Sequence, residues 1–186
     1  ALKGSAKVYA SQVAQMDRSI GRLVQVLDEL KLRSNTLVIF ASDNGCGANH
    51  DVELFDSNGA FRDRKGSLYE GGMRSPMIAC WPSKIAGGST SSFVSAFWDF
   101  MPTFAELTGQ KAPNQTDGVS LVPVLMGESK EPRPQSAPIY FEWSRTDRAG
   151  QAIRIGDWKL IRWLNKPKPV IELFNLAKDI GETINV

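Results

Sequence analysis

At 186 residues, with 42% hydrophobic and 23% charged side chains, the chain is long enough to bury a core and is ordinary for a globular protein. A net charge of +2 without a dense basic run argues against nucleic acid as a partner, and no apolar run approaches membrane-spanning length. No signal-peptide pattern is present, and a start at Ala1 rather than Met is expected of a processed chain or a fragment.

Ala6 to Leu32 reads as an amphipathic helix, because Val13, Met16, Ile20, Leu23, Val24, Leu27 and Leu30 recur at helical spacing. The stripe predicts packing against a sheet, with Gly21 letting the helix approach a neighbour closely at a cost of about 1 kcal/mol relative to alanine. Lys31 to Asn35 forms a short polar turn. Leu37-Val38-Ile39-Phe40-Ala41 comes next, unbroken and rich in β-branched residues. That is the pattern of a strand buried on both faces, as in a parallel sheet.

The strand stops abruptly at Ser42-Asp43-Asn44-Gly45. Open α/β sheets bind ligands just beyond the carboxyl ends of their strands, which makes Asp43 and Asn44 candidate metal ligands. Their hard oxygens suit Ca²⁺ or Mg²⁺. Taken alone, the tetrapeptide reads first as turn chemistry. The next thirty residues shift the balance. The segment 46–64 is irregular and holds His50, the only histidine, as a candidate proton or hydrogen-bond donor or a solvated loop residue. Arg62-Asp63-Arg64-Lys65-Gly66 then leads into Ser67 to Pro76, crowding basic side chains and glycines into one loop. Cations near a bound metal are repelled unless an anion lies between them, so this order points to an anionic substrate group.

Ser-Asp-Asn-Gly after a strand, then Lys65-Gly-x-x-x-Glu70-Gly-Gly-x-Arg74-x-Pro76, resembles the C-terminal half of a type I sulfatase of the arylsulfatase kind. The resemblance implies that Asp43 and Asn44 supply two ligands of an active-site Ca²⁺, with Mg²⁺ as the other hard cation, and that Lys65 contacts the sulfate. By a looser match it implies a leaving-group role for His50, and for Phe55 to Gly59 a place at the pocket mouth. Glu70 and Arg74 are expected to form a structural clasp, and Gly71 and Gly72 to hold backbone conformations that a Cβ would forbid.

Met77 to Trp81 reads as a core strand. At its end Cys80-Trp-Pro-Ser-Lys84 imitates the Cys-x-Pro-Ser-Arg signature whose cysteine becomes formylglycine in sulfatases. In the family that signature precedes the Asp-Asn-Gly segment and is followed by Leu-Thr-Gly-Arg, so Cys80 is read instead as a small buried hydrophobe. Cys46 and Cys80 together allow one disulfide without requiring it. Gly87 to Ser92 is a linker-like loop. Phe93 to Leu107 predicts a short strand and a helix entered through Asp99-x-x-Pro102-Thr103, and Asp117 to Gly127 matches anchoring segments of the family. Glu128 to Pro138, with three prolines, marks a linker or edge loop.

From Ile139 the period becomes that of short strands: Ile139 to Trp143, Gln151 to Ile155, Trp158 to Trp163 and Val170 to Phe174, with a hairpin turn at Gly156-Asp157. Asp179 to Thr183 resembles a closing loop of the family, and nothing there looks catalytic.

The expected fold is therefore α/β: the C-terminal part of an alkaline-phosphatase-like mixed sheet flanked by helices, over residues 1–127, plus a small antiparallel sheet over residues 128–186. The expected activity of the intact enzyme is hydrolysis of sulfate esters, acting on a sulfated small molecule or glycan, in a periplasmic or secreted enzyme. The nucleophile, a formylglycine, and the remaining metal ligands are expected on preceding sequence, leaving this chain inactive alone. The alternatives are a phosphate or phosphonate monoesterase of the same superfamily and a non-catalytic glycan-binding relative.

Overall fold

The computed structural model describes residues 2–48, 52–145, 149–165 and 168–186. By contact the chain forms two compact units, Ala1–Ser83 with Ile180–Thr183, and Lys84–Asp179 with Ile184–Val186.

In the first unit, helix α1 spans Gly4–Glu29 and ends in a turn where Lys31 takes φ 58°. The helix forms as its periodicity predicts, but the apolar stripe is not covered. Val13, Met16, Leu23 and Leu30 are 41%, 45%, 55% and 61% exposed, and Ala6 is the one buried residue of the helix. Gly21 faces open space, so within the described structure it admits no close neighbour. Tyr9 meets Phe55 of the short helix α2 (Val52–Phe55) edge-on, with ring centroids 5.1 Å apart.

Strand β1, Val38–Ala41, pairs with β2, Met77–Cys80, in register Val38↔Cys80 to Ala41↔Met77. The pairing is antiparallel, contrary to the parallel neighbour that the unbroken apolar run predicts, and every β1 residue keeps partial exposure. Between these strands, which form a two-stranded ribbon, lies the short helix α3, Glu70–Met73. A two-stranded ribbon buries little by itself. This unit therefore relies on bonds between its loops.

In the second unit, residues 93–96 are not strand; a 3₁₀ turn at Phe97–Asp99 leads directly into helix α4, Phe100–Leu107. Asp99, fully buried, anchors the region. Its carboxylate accepts from the backbone N–H groups of Ala96 and Val119 and from Arg133 Nη1, the last at 2.6 Å. Thr103 Oγ1 donates to the Asp99 carbonyl and accepts from Leu121 N–H, just ahead of the short helix α5, Val122–Leu125. Arg133 also donates to the Ala137 carbonyl, so the proline-rich stretch read as a linker is pinned by a buried guanidinium.

The four predicted strands are present as β3 (Ile139–Ser144), β4 (Ala149–Ile155), β5 (Trp158–Trp163) and β6 (Val170–Asn175), an antiparallel meander in sequence order. Ile155 and Trp158 pair across Gly156-Asp157, and Gly156 carries the positive φ, 56°. This is the loop in which glycine takes the first central position. Ala152 faces Ile161 across the ladder, and with Ile139 and Phe174 they form the buried side. Burial of Ile161 and Phe174 contributes roughly 1.5–3 kcal/mol each.

Candidate functional site

The candidate residues lie in the first unit, where β1 ends and two loops are joined backbone to backbone. The Ser42 N–H donates to the Pro76 carbonyl at 3.2 Å, extending the ribbon by one step. Gly45 N–H then donates to Gly72 O at 3.0 Å, and Lys65 N–H to Cys46 O at 2.9 Å. Gly71 N–H closes the second loop on Arg62 O at 2.9 Å. Segments 42–46 and 62–72, well separated in sequence, are thereby stitched together, bringing the backbones of Asp43, Asn44 and Lys65 into one loop cluster.

The glycines make this possible by their lack of a side chain. A Cβ on Gly45 would lie 1.7 Å from Gly71 O, one on Gly71 2.1 Å from Asp63 O, and one on Gly72 2.3 Å from Ser67 O. Gly71 and Gly72 are not in the positive-φ region, so their role is close approach rather than the forbidden conformations predicted for them. Gly66 and Asp63 carry the positive φ values of the loop, 89° and 62°.

Around this knot most charged side chains are already engaged. Arg62 lies over the Tyr69 ring at 3.8 Å, and its Nη1 donates to Glu182 O at 2.7 Å. Arg74 Nε pairs with the buried Glu70 carboxylate at 3.2 Å, the expected clasp, and stacks on Phe61. Lys65 is exposed, and its ammonium has no ion-pair or hydrogen-bond partner among the described residues. Of the basic groups predicted to crowd an anion, then, Arg62 is committed to the loop itself.

Asp43 is exposed and Asn44 partly so. Asn44 Nδ2 donates to Asp43 Oδ1 at 2.5 Å, which turns the amide oxygen of Asn44 away from that contact. The pair offers hard oxygens, a fit for Ca²⁺ or Mg²⁺ as part of a shell of roughly six to eight ligands. Among the described residues no group of three or more His, Cys, Asp or Glu is arranged to hold a metal, so the pair alone is an incomplete site. His50 lies outside the described residues.

Both cysteines are free thiols, and neither is fully buried. Cys80 Sγ accepts from Arg33 Nη2 at 3.4 Å, so it is a partly exposed, hydrogen-bonded thiol rather than a buried hydrophobe. Cys46 Sγ donates to Asn58 Oδ1 at 2.6 Å, and burial pushes its thiol above the ordinary value while the charge of Arg64 opposes this. Asn58 Nδ2 in turn donates to the Asp63 carbonyl, tying the segment predicted for the pocket mouth to the Lys65 loop. Glu182, which reaches both residue 62 and residue 70, escapes sequence reasoning. Its one signal is position within the Asp179 to Thr183 segment, and nothing local marks its partners.

Residues 3–110 match the family profile described as Sulfatase, and residues 58–186 match N-sulphoglucosamine sulphohydrolase, C-terminal. Human arylsulfatase A is 38% identical over 152 residues, which are 81% of this chain and 29% of that enzyme. The crystal structure of Ps i-CgsB in complex with k-i-k-neocarrahexaose superposes with a TM-score of 0.84 at 33% identity, covering 100% of this chain and 40% of that one. The structure of BT4656 in complex with its substrate D-glucosamine-2-N,6-O-disulfate gives 0.74 at 29% identity, covering 93% of this chain and 34% of that one. The chain thus spans well under half the length of these relatives and shares their alkaline-phosphatase-like fold, with helices beside a strand pair and an antiparallel sheet at the C-terminus. It belongs to the type I sulfatase family and corresponds to the C-terminal part of its members.

Proposed function

We propose that this chain is the C-terminal portion of a sulfatase that hydrolyses sulfate esters, and that Asp43, Asn44 and Lys65 form its share of the anion site. The observation that supports the reading most is the stitching of the two loops: Gly45 to Gly72 and Lys65 to Cys46 join the Asp-Asn segment to the lysine segment. Asp43 and Asn44 would hold a hard cation, which when bound neutralises sulfate oxygens and the charge that develops on them. Lys65, the exposed ammonium without an ion-pair partner among the described residues, binds and orients the same anion. His50 is assigned the proton for the leaving group. The nucleophile and the other ligands come from sequence beyond these residues, so the chain alone is inactive. The uncovered apolar stripe of α1 supports a larger surrounding fold. The substrate class is a sulfated glycan, a reading supported by the sugars bound in the two solved relatives. The enzyme is assigned to the periplasm or the exterior of the cell.

The test uses the complete enzyme on paired sulfate and phosphate esters of one leaving group. Turnover should favour the sulfate ester, and Lys65→Ala should raise KM for it by roughly tenfold or more, as loss of a charged contact requires. Asp43→Ala should lower turnover and raise the concentration of divalent cation needed to support it, as loss of one metal ligand requires. Preference for the phosphate or phosphonate ester would move the protein to that branch of the superfamily. Absence of turnover on both would favour a glycan-binding relative, and turnover by this chain alone would overturn its assignment as a portion.

A further inference from the structure

Glu182 sits at the far end of the sequence from the loop cluster, yet by contact it belongs to the same unit. It is fully buried. Its Oε2 accepts from the backbone N–H of Glu70 at 2.6 Å, and its own carbonyl accepts from Arg62 Nη1 at 2.7 Å. One residue therefore holds the chain at position 62 and at position 70, the two flanks of the segment that presents Lys65. Its backbone takes φ 53°, a region that non-glycine residues rarely occupy and keep only when surrounding contacts over-determine it. Between the flanks, the Lys65 backbone N–H is tied to the Cys46 carbonyl. Gly66 next to it has φ 89°, so the apex has little intrinsic stiffness of its own.

We infer that Glu182 is a positioning residue for Lys65. Its carboxylate and carbonyl clamp the 62–70 loop so that the ammonium is held ready for the sulfate rather than ordered when the anion arrives. Binding that must first order a loop is weakened by that ordering, so the clamp acts on anion affinity. This inference rests on the reading of Lys65 as the sulfate contact.

The complete enzyme tests it, with inorganic sulfate as the competing anion and an aryl sulfate as the substrate. Glu182→Ala should raise the inhibition constant for sulfate and KM in parallel by roughly tenfold, with a smaller change in kcat, the size expected for losing a hydrogen bond to a charged acceptor. Glu182→Gln, which keeps an acceptor oxygen, should stay within about threefold of the parent. Arg62→Ala removes the other tie from an exposed position and should weaken sulfate binding without unfolding the protein. In a Lys65→Ala background, Glu182→Ala should cost no further sulfate affinity, because the group it positions is gone.

If Glu182→Ala does not fold, the Arg62→Ala and Glu182→Gln values decide. Unchanged sulfate affinity in the folded Glu182 and Arg62 variants, while Lys65→Ala loses it, would overturn the clamp and leave the sulfate contact standing. An equal loss from Glu182→Ala with and without Lys65 would reduce Glu182 to a stability residue. Unchanged affinity in Lys65→Ala would remove both readings.

Discussion

The meander of β3–β6 and the loop knot at 42–46 and 62–72 are held together by opposite means. In the meander each strand pairs with its neighbour in sequence, and the register follows from the alternation of side chains and a two-residue turn. In the knot the partners are distant in sequence, the contacts are backbone to backbone, and the selecting residues are those with no side chain. The first design tolerates surface change, because side chains absorb it. The second does not, because a Cβ at Gly45 meets a carbonyl that has nowhere to retreat. It is the rigid, intolerant region that carries the candidate chemistry.

The largest effect should come from a third kind of anchor, the buried Asp99–Arg133 pair that fixes the stretch preceding the meander. Arg133's side chain is 6% exposed and Asp99's is 0% exposed. Asp99→Ala leaves the guanidinium buried without its carboxylate, which costs about 3–5 kcal/mol. Urea unfolding monitored by tryptophan fluorescence should show that loss, and replacing both partners with apolar residues should not recover it, because the Ala96 and Val119 N–H groups lose their acceptor as well. A near-neutral Asp99→Ala would mean the stretch is held by the meander after all.

Next comes the knot itself. Gly45→Ala forces the 1.7 Å contact with Gly71 O to open, at about 1–3 kcal/mol or more, and should also loosen the Lys65 loop. The control is Gly21→Ala in α1, where nothing lies within 4 Å; it should stabilise the chain by about 1 kcal/mol. Opposite signs in thermal melts of the two variants would sharpen the contrast between a packed and an unpacked glycine. The same sign would break it. Within the meander, Gly156→Ala places a Cβ at φ 56° in a turn open to solvent, costing roughly 1–2 kcal/mol, while Gly156→Asn should cost less. Hydrogen exchange on β4 and β5 would localise the change to that hairpin.

These differences explain what the sequence made legible. The four strands and the hairpin could be read because their determinants are local: alternation within six or seven residues, and Gly-Asp between them. The site motif could be read because its spacing resembles that of a family. The direction of pairing of β1 could not, because an unbroken apolar run reports burial and says nothing about the partner strand. Nor could the Glu182 clamp or the Arg133 anchor, since Glu182 reaches Glu70 from 112 positions away and Arg133 reaches Asp99 from 34, through hydrogen bonds that leave no periodic trace. The glycines at 71 and 72 read as indispensable for conformation, whereas what they supply is room.

The smallest expected effect bears on how tightly the knot closes around Cys46. Its thiol donates to Asn58, itself tied to the Asp63 carbonyl, and burial outweighs the opposing pull of Arg64 in raising its pKa. The fold therefore favours the neutral thiol over the thiolate. Because the folded pKa lies above the unfolded one, this contribution to stability is fully present below the ordinary thiol pKa and is lost as pH rises through the folded value. In a Cys80→Ser background, native Cys46 should react with iodoacetamide at mildly alkaline pH more slowly than a free small thiol, and the gap should close in urea. Arg64→Gln, removing the one charge that assists ionisation, should slow the native reaction further. Native Cys46 reacting as fast as the free thiol would mean that the knot opens often enough to expose it. The rigidity assigned to this region, as against the meander, would then be wrong.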